Sequence, residues 1–291
     1  MEQDRELLIT KTISGTGIVY ELTLHREDFS ACYPGMQRYV VEAAAQGQEP
    51  ARFITNTYEY SPLLPGSAES AARQVFAVWE VGLITDPAAI FREYASRPHP
   101  AMPEEVDLLI LQGSPRPDGN CAILSEWALE AAREAGRTSR VIYPHDLDIH
   151  PCIGCYQCYN MGTCVYRDDM DEIIAAVRGA RLIIACSPVY SNTVPAGLKL
   201  VIDRMQAYHA ERALGGEGRP GLKALMYSVA GRRGRENFTC VTKVLAAFFH
   251  TIGAVPAGEV LIDSADSIRD IRTIKGEEEA VKAQVKRHLR G

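Results

Sequence analysis

The stretch Val106-Asp-Leu-Leu-Ile-Leu-Gln-Gly-Ser-Pro-Arg-Pro-Asp-Gly-Asn120 decides the fold of this chain. It begins with a short, nearly continuous apolar run, which is typical of a buried parallel strand, and continues into a loop rich in glycine and proline. From Asn120 to Ala135 apolar side chains form one stripe and charged side chains another, and Gly136 follows, which predicts an amphipathic helix. The stretch therefore predicts one strand–loop–helix unit of an α/β fold.

The same alternation of strand and helix continues to the end of the chain. Five strand–helix pairs in strict alternation indicate a doubly wound, five-stranded parallel sheet with helices on both faces, in the strand order 2-1-3-4-5. The remaining strands are predicted at Ser139–Tyr143, Leu182–Cys186, Leu222–Val229 and near Glu259–Ile262, and the remaining helices at Asp169–Arg178, after Pro195, at about Asn237–Ile252 and at about Glu277–Leu289.

The first hundred residues follow a different pattern, and we expect a small α+β domain of unknown role over residues 1–100 and the parallel-sheet domain over residues 105–291. Three prolines within Arg97-Pro-His-Pro-Ala-Met-Pro103 predict a linker between them. The elements predicted in the first domain are a hairpin of Glu6–Ser14 with Gly17–His25, a helix at Pro34–Ala45, a strand near Arg52–Tyr58, and helices near Ala68–Val78 and Pro87–Ala95.

Four cysteines lie in the run Cys152-Ile-Gly-Cys155-Tyr-Gln-Cys158-Tyr-Asn-Met-Gly-Thr-Cys164. This close spacing favours one [4Fe-4S] cluster bound by the four thiolates, on a loop at residues 144–167 inserted into the parallel-sheet domain. Structural zinc also uses four cysteines, although usually in two separated C-x2-C pairs, and empty or redox-active thiols are a third alternative. The other cysteines occur singly, at Cys32, Cys121, Cys186 and Cys240.

Two loops of the predicted sheet are candidates for a cofactor site. Ligands of open parallel sheets bind beyond the carboxyl ends of the strands where the strand order reverses, which here indicates the loops at residues 113–120 and 187–193. The first loop precedes a helix N-terminus, so Arg116 and the amides near Asn120 suit a phosphate, although the loop matches neither a dinucleotide fingerprint nor a Walker loop. A plain turn with Asn120 as helix cap is the alternative. The position of both loops, with Tyr190 and Asn192 in the second, favours a flat aromatic cofactor.

Composition limits the class of protein. The chain has 291 residues, 46 % of them apolar and 23 % charged, as is typical of a globular protein, and its apolar runs are too short for a membrane span. The charged residues at the start lack the pattern of a signal peptide, so we expect a cytoplasmic protein with reduced cysteines. A net charge of −6 with dispersed basic residues argues against a nucleic-acid partner, apart from one short basic cluster, Arg232-Arg-Gly-Arg235.

Together these motifs resemble the iron-sulfur flavoproteins, within the wider NADPH-dependent FMN reductase and flavodoxin-like group. The resemblance covers about residues 105–290 and excludes the first domain. It rests on Gly113-Ser-Pro-Arg116 with Gly119-Asn120, the cysteine run, Asp168-Asp-Met170, Ser187-Pro-Val-Tyr190, and Leu198-Lys-Leu-Val-Ile-Asp-Arg204.

The resemblance implies a flavodoxin-like fold and three FMN-binding loops. The third loop, which includes Ala230 and Gly231, would lie by the second edge of the flavin ring, where the basic cluster could stabilise reduced flavin or attract an acidic partner or NAD(P)H. The first loop would hold the FMN phosphate through Ser114, Arg116, Asn120 and Cys121, and the second would border the ring with Pro188, Val189, Tyr190, Ser191, Asn192 and Thr193.

We therefore expect an FMN-dependent iron-sulfur oxidoreductase that passes electrons between a [4Fe-4S] cluster, FMN and an external donor or acceptor. A ferredoxin-like redox protein or NAD(P)H is the expected donor, and a small molecule the acceptor. The cofactors carry the chemistry, so no catalytic acid or base is required. The resemblance also implies a homodimer or homotetramer. The alternatives are an NAD(P)H-dependent FMN or quinone reductase with structural or zinc-binding cysteines, and a non-enzymatic flavin electron carrier or redox sensor.

Overall fold

A computed structural model describes residues 5–15, 17–94, 105–216 and 218–290. The predicted linker near residues 97–104 lies outside these described residues. The chain divides into two compact units, and the first contains the described part of Met1–His99 together with Ile153–Val165 and Ala213–Gly216. The second contains the described part of Pro100–Cys152, Tyr166–Arg212 and Glu217–Gly291. Most of the cysteine run thus belongs to the first unit, whereas the sequence suggested that it belongs with the parallel sheet.

The first unit is built on a four-stranded antiparallel sheet whose strands follow one another in chain order. Two helices pack on this sheet, and Phe76, Trp79 and Leu83 of the longer one are buried in its core. The predicted hairpin is confirmed by its first two strands. The elements are β1 (Arg5–Gly15), β2 (Ile18–Asp28), β3 (Gln37–Ala45), β4 (Ala51–Asn56), α1 (Ala68–Thr85) and α2 (Pro87–Glu93).

The helix predicted at Pro34–Ala45 is wrong, because this segment forms β3. The alanine-rich end of the segment has helix propensity, but β3 pairs with β2 on one side and β4 on the other. Val40 and Val41 are β-branched and fully or nearly fully buried, and such residues favour a pleated, packed strand. Packing and pairing on both sides therefore override local propensity. The strand predicted at Arg52–Tyr58 ends earlier, at Asn56, whose side chain caps a short 3-10 turn.

The second unit contains the predicted doubly wound sheet. All five strands are parallel, and numbered along this unit they lie in the order 2-1-3-4-5, as predicted. In the first strand of this unit, Leu108 and Ile110 lie on one face of the sheet and Leu109 and Leu111 on the other. All four side chains are fully buried. Both faces are therefore covered. The strands are β5 (Val106–Gln112), β6 (Ser139–Ile142), β7 (Ala180–Pro188), β8 (Lys223–Val229) and β9 (Val255–Ile262).

Helices cover the sheet of the second unit. Trp127, Val281 and Val285 from two of them pack on the face that carries Leu108 and Ile110. No helix in the described ranges combines the length and apolar character that a bilayer span requires. The remaining helices of the chain are α3 (Asn120–Glu134), α4 (Cys158–Met161), α5 (Met170–Gly179), α6 (Ala196–Arg204), α7 (Gln206–Ala213), α8 (Thr239–Ile252), α9 (Ala265–Ile268) and α10 (Glu277–Leu289).

Candidate cofactor site and cysteine segment

A cavity of about 1290 Å³ lies among the loops that follow β5, β7, β8 and β9 in the second unit. These loops follow the carboxyl ends of parallel strands, the place where open α/β sheets bind ligands. The cavity is large enough for a nucleotide-sized cofactor. Thr193 is not among its lining residues. The predicted residues that line it are Ser114, Arg116, Asn120, Cys121, Pro188, Val189, Tyr190, Ser191, Asn192, Ala230 and Gly231.

The loop between β5 and α3 is shaped to accept an anion. Gly113 donates its amide to the Cys186 carbonyl at 2.8 Å, and a Cβ on Gly113 would lie 2.8 Å from the Leu198 side chain, so this close approach requires glycine. The N-cap of α3 is Gly119, which provides no side chain to satisfy the first amides of the helix. Those amides and the helix dipole favour a negatively charged group, and a phosphate fits this end of the cavity.

Three polar side chains of this loop have different environments. The buried Ser114 hydroxyl accepts a hydrogen bond from the Arg116 amide at 3.2 Å. Arg116 is exposed, and no carboxylate of the described residues forms an ion pair with it. The Asn120 carboxamide oxygen accepts from the Ile271 amide at 3.2 Å. This oxygen ties α3 to the loop after β9, so only the amino group of Asn120 remains to donate to a ligand.

The loop after β7 forms a tight turn on the cavity wall. Tyr190 and Thr193 exchange two backbone hydrogen bonds of 2.9 Å. Between them, Ser191 and Asn192 have φ values of 47° and 63°. Two consecutive left-handed residues are the signature of a type I′ turn, which favours asparagine and glycine. The turn places residues 190–192 in the lining, while Thr193 closes it through its backbone.

The loop after β8 packs against the loop after β9. The Asp266 amide donates to the Gly231 carbonyl at 3.2 Å, and a Cβ on Gly231 would lie 2.5 Å from a carboxylate oxygen of Asp266. The Gly234 amide donates to Asp263 at 2.6 Å. This hydrogen bond, with a second one from the Ser264 hydroxyl, holds the pKa of Asp263 below its ordinary value. The two loops therefore support each other.

Sequence reasoning missed the residues that the loop after β9 contributes to the cavity. The strand order could have identified this loop, because it follows the carboxyl end of the last parallel strand and must lie at the same edge of the sheet as the other three loops. The lining residues beyond the predicted set come from this loop and from the other three, and they are Asp118, Gly119, Ile123, Val229, Arg232, Asn237, Ala265, Asp266, Arg269, Asp270 and Arg272.

Four arginines and three aspartates line the cavity. Arg272 is occupied by Asp270, which it contacts at 2.9 Å and 2.8 Å. Among the described residues, Arg116, Arg232 and Arg269 form no ion pair with a carboxylate. Guanidinium groups without a carboxylate partner bind phosphate well. The lining is therefore suited to an anionic ligand.

The four cysteines of the run form no disulfide. Cys152 is exposed, whereas Cys155, Cys158 and Cys164 are half-buried. Over the described ranges, no three His, Cys, Asp or Glu side chains are grouped as metal ligands. The donor set itself suits an iron-sulfur cluster, because four thiolates within one short segment are its usual ligands. Positive φ values at Gly154, Tyr156 and Gly162 bend the backbone between the cysteines.

A buried ion pair lies in the second unit and joins the chain before the cysteine run to the chain after it. Arg204 donates two hydrogen bonds to Asp168, at 2.6 Å and 3.0 Å, and one to the His150 carbonyl at 2.7 Å. The His150 amide donates to Asp168 at 2.9 Å. Burial raises the pKa of Asp168, but these hydrogen bonds and one from the Met170 amide outweigh it and lower the pKa to about 2. The network fixes residue 150 beside residue 168.

Comparison with known proteins points to one family. The family model described as NADPH-dependent FMN reductase matches residues 106–267, more than half of the chain. An iron-sulfur flavoprotein of Methanocaldococcus jannaschii is 44 % identical over 94 residues, which cover 32 % of this chain and 49 % of that protein. An iron-sulfur flavoprotein of Archaeoglobus fulgidus is 34 % identical over 146 residues, covering 50 % and 63 %.

The matched stretch is only part of these relatives, and the chain spans about half the length of the first of them. Among solved structures, a flavone reductase shares 16 % identity with a TM-score of 0.48, over 63 % of this chain and 62 % of that one. The apo form of an NADH:FMN oxidoreductase shares 17 % identity with a TM-score of 0.45, over 63 % and 88 %.

Proposed function

The chain belongs to the NADPH-dependent FMN reductase family, and on this premise we propose that it is an FMN-dependent iron-sulfur oxidoreductase. It passes electrons between a [4Fe-4S] cluster, FMN and an external donor or acceptor. The observation that carries the FMN assignment is the cavity at the carboxyl edge of the sheet, with an uncapped helix N-terminus and an unpaired Arg116 at one end. The cluster assignment rests on the cysteine run and on relatives named iron-sulfur flavoproteins.

The residues of the cavity have separate tasks in this proposal. The α3 amides, the Ser114 hydroxyl and the Arg116 guanidinium hold the phosphate of FMN. The turn at residues 190–192 and the backbone at Ala230 and Gly231 border the flavin ring. Arg232 and Arg269 contribute positive charge to the lining, which favours the anionic form of a reduced ligand. When bound, FMN supplies both two-electron and one-electron chemistry.

The cysteines have a simpler task. Cys152, Cys155, Cys158 and Cys164 provide four thiolates for a [4Fe-4S] cluster, which supplies one-electron transfer when bound. The left-handed backbone at Gly154, Tyr156 and Gly162 bends the run between the cysteines, and such bends would let several thiols converge on one cluster. NAD(P)H or a reduced ferredoxin-like protein serves as donor, and the protein works as a homodimer or homotetramer.

Anaerobic purification with iron and sulfide analysis tests the proposal. The wild-type protein should contain FMN and about four iron atoms per chain, with the visible and EPR spectra of a [4Fe-4S] cluster. Cys155→Ser should lose most of the iron and keep FMN, because the cavity lies on other loops. Cys240→Ser is the matched control, since Cys240 is an exposed cysteine outside the run.

The same preparation separates the alternatives. Protein that contains FMN, turns over NAD(P)H and holds zinc or no metal after anaerobic iron–sulfide reconstitution would instead be a flavin or quinone reductase. Electron relay between reduced ferredoxin and a docked protein, without turnover of a small acceptor, would instead indicate an electron carrier. Full iron occupancy in the Cys155→Ser protein would remove that residue from the ligand set.

A further inference from the structure

Within the first unit, the antiparallel sheet and the turn after β4 contact the cysteine run through one group of polar side chains. We define the cysteine segment as Ile153–Val165 and the polar box as Arg38, Asn56, Glu59 and Asn160, all of which belong to the first unit. Asn160 lies in α4, two residues after Cys158, and the other three come from β3, the end of β4 and the turn that follows it. The polar box therefore connects the antiparallel sheet to the helix that begins at a candidate cluster ligand.

The side chain and the backbone carbonyl of Asn160 form hydrogen bonds with β3, the end of β4 and the turn after β4. Its amino group donates to Glu59 Oε1 at 2.7 Å, and its carboxamide oxygen accepts from Asn56 Nδ2 at 2.8 Å. The Arg38 guanidinium donates to the Asn160 carbonyl at 3.0 Å. Asn56 Nδ2 also donates to the Tyr156 carbonyl at 3.2 Å, so a second point of the segment is fixed. These bonds specify one position and one orientation for α4.

Arg38, Asn56 and Glu59 are also held by contacts that do not involve the cysteine segment. Asn56 Oδ1 accepts from the Tyr58 amide at 3.0 Å, and Glu59 Oε1 accepts from the Asn56 amide at 2.8 Å. Arg38 pairs with Glu27 at 3.3 Å, and its guanidinium lies 4.7 Å from the centre of the Phe29 ring. The donors and acceptors that meet Asn160 thus have preset directions, as a site that holds a partner group requires.

Burial of the polar box raises the energetic cost of moving α4. Asn56, Asn160 and Arg38 are 0 %, 5 % and 6 % exposed. Water cannot replace a lost partner in such a place, so a displaced α4 would leave buried polar groups unsatisfied. Arg38 Nε is buried without a hydrogen-bond partner, but the carboxamides of Asn56 and Asn160 are bonded through both their oxygen and their amino group. A buried network of this kind favours one arrangement of the segment over the others.

Aromatic packing supports the same contact. The Tyr33 ring lies 5.0 Å from that of Tyr159 and 5.7 Å from that of Tyr156, in edge-to-face geometry. The Tyr58 ring lies 5.0 Å from that of Tyr156. Tyr156 and Tyr159 alternate with Cys155 and Cys158 along the segment, so the packing fixes the backbone on which those thiols are carried.

We propose that the antiparallel sheet of the first unit positions the cysteine segment for cluster binding, with the polar box as the positioning device that fixes α4 and Cys158. The inference rests on the proposed function, because it assigns a task toward the cluster. A flexible segment must be ordered when a metal group binds, which weakens binding, whereas a segment that is already held keeps its affinity. Arg38, Asn56 and Glu59 are thus positioning residues, not ligands.

The decisive variant is Asn56→Asp. It keeps the oxygen that accepts from the Tyr58 amide, but it replaces both Nδ2 donors with a carboxylate that faces the oxygens of Asn160 and Tyr156. In the apoprotein we expect amide hydrogen exchange over residues 156–162 to become about tenfold faster or more. Iron uptake at limiting iron should fall by a similar factor, and the EPR spectrum and midpoint potential of any cluster should change. FMN content should stay unchanged, because the cavity lies in the second unit.

Three further variants serve as a control, a second disruption and a rescue. Arg52→Ala, on the same strand β4, removes an exposed pair with Glu42 that has no part in the box, and it should behave as wild type in every readout. Asn160→Asp places a carboxylate beside Glu59 and should loosen the segment as Asn56→Asp does. Glu59→Gln added to Asn160→Asp should recover part of the iron uptake, because it removes the repulsion between two carboxylates, although the Glu59 oxygen also accepts from the Asn56 amide. This rescue distinguishes positioning from a general loss of folding.

The outcomes separate the inference from the proposed function. If Asn56→Asp and Arg52→Ala give equal exchange rates and equal iron uptake, the positioning role is overturned. If Asn56→Asp does not fold, the paired variants Asn160→Asp and Glu59→Gln decide, and absence of rescue overturns it. If wild-type protein binds no iron after anaerobic reconstitution, the proposed function fails, while the exchange rates over residues 156–162 still decide whether the box holds the segment.

Discussion

The cavity and the cysteine segment are organised by different kinds of interaction. The lining of the cavity follows from topology, since parallel strands must end at a common edge and their loops must meet there. The shape of the cysteine segment depends on individual side-chain bonds, such as the one between Asn56 and Asn160, which are 104 residues apart. The location of a site of the first kind does not depend on single side-chain hydrogen bonds, whereas the shape of a site of the second kind changes when one of them is lost.

The strongest test of this comparison is the ion pair at the base of the cysteine run. Asp168→Ala would leave the Arg204 guanidinium, which is 1 % exposed, without its carboxylate. The free energy of unfolding should fall by about 3–5 kcal/mol, measured by urea denaturation at pH 7. Asp203→Ala removes an exposed i,i+4 pair with Lys199 and should cost at most about 0.5 kcal/mol. Equal, small losses in both variants would show that the base of the run is not part of the core.

Arg116 tests whether topology has placed a phosphate site. Arg116→Ala should weaken FMN binding by about 10- to 100-fold, because a charge-assisted hydrogen bond contributes about 1.5–3 kcal/mol. Riboflavin lacks the phosphate and should bind both proteins alike in a fluorescence titration. Arg272→Ala is the matched control, since Asp270 already occupies that guanidinium, and it should weaken FMN binding less. Equal weakening of riboflavin and FMN by Arg116→Ala would rule out the phosphate contact.

The parallel-sheet part of the fold could be predicted from the sequence because its signals are local. Buried strands give apolar runs, amphipathic helices give stripes, and glycines mark the turns. The segment at Pro34–Ala45 shows where this fails. Its run Glu42-Ala-Ala-Ala45 reads as helix, but the segment is an inner strand whose neighbours β2 and β4 decide its conformation. Pairing with distant strands has no local signature.

Some residues of the candidate sites could be predicted from local sequence signals, and others could not. The predicted loops at residues 113–120 and 187–193 do meet at one cavity, as strand order requires. The loop after β9 was missed because Asp266, Arg269 and Arg272 stand in no recognisable motif. The polar box could not be predicted at all, since Arg38, Asn56 and Glu59 look like ordinary surface residues in sequence, and only the folded chain brings them to Asn160.

The pH dependence of stability offers a third test, and it concerns the same base of the cysteine run. The pKa of Asp168 is lowered to about 2 in the folded chain, below its unfolded value of about 3.9. Its contribution is therefore complete above about pH 4 and is lost as the pH falls toward 2, by about 2 kcal/mol in total. Urea denaturation between pH 5 and pH 2 should show this loss in the wild type. In Asp168→Asn that part of the pH dependence should be absent, and an unchanged profile would contradict the assignment.

The smallest expected effect concerns the turn at Tyr190–Thr193, whose shape is set locally, in contrast to the cysteine segment. Ser191 has a φ of 47°, a left-handed conformation that costs a non-glycine residue energy. Ser191→Gly removes this strain but adds flexibility to the unfolded chain, so the two effects nearly cancel and the net gain should be at most about 1 kcal/mol. Asn192→Ala, at a φ of 63°, should instead destabilise by about 1 kcal/mol, because alanine tolerates this region poorly. If Ser191→Gly lowered the melting temperature by several degrees, the Ser191 side chain would hold the turn, and the turn would resemble the cysteine segment in depending on side-chain contacts.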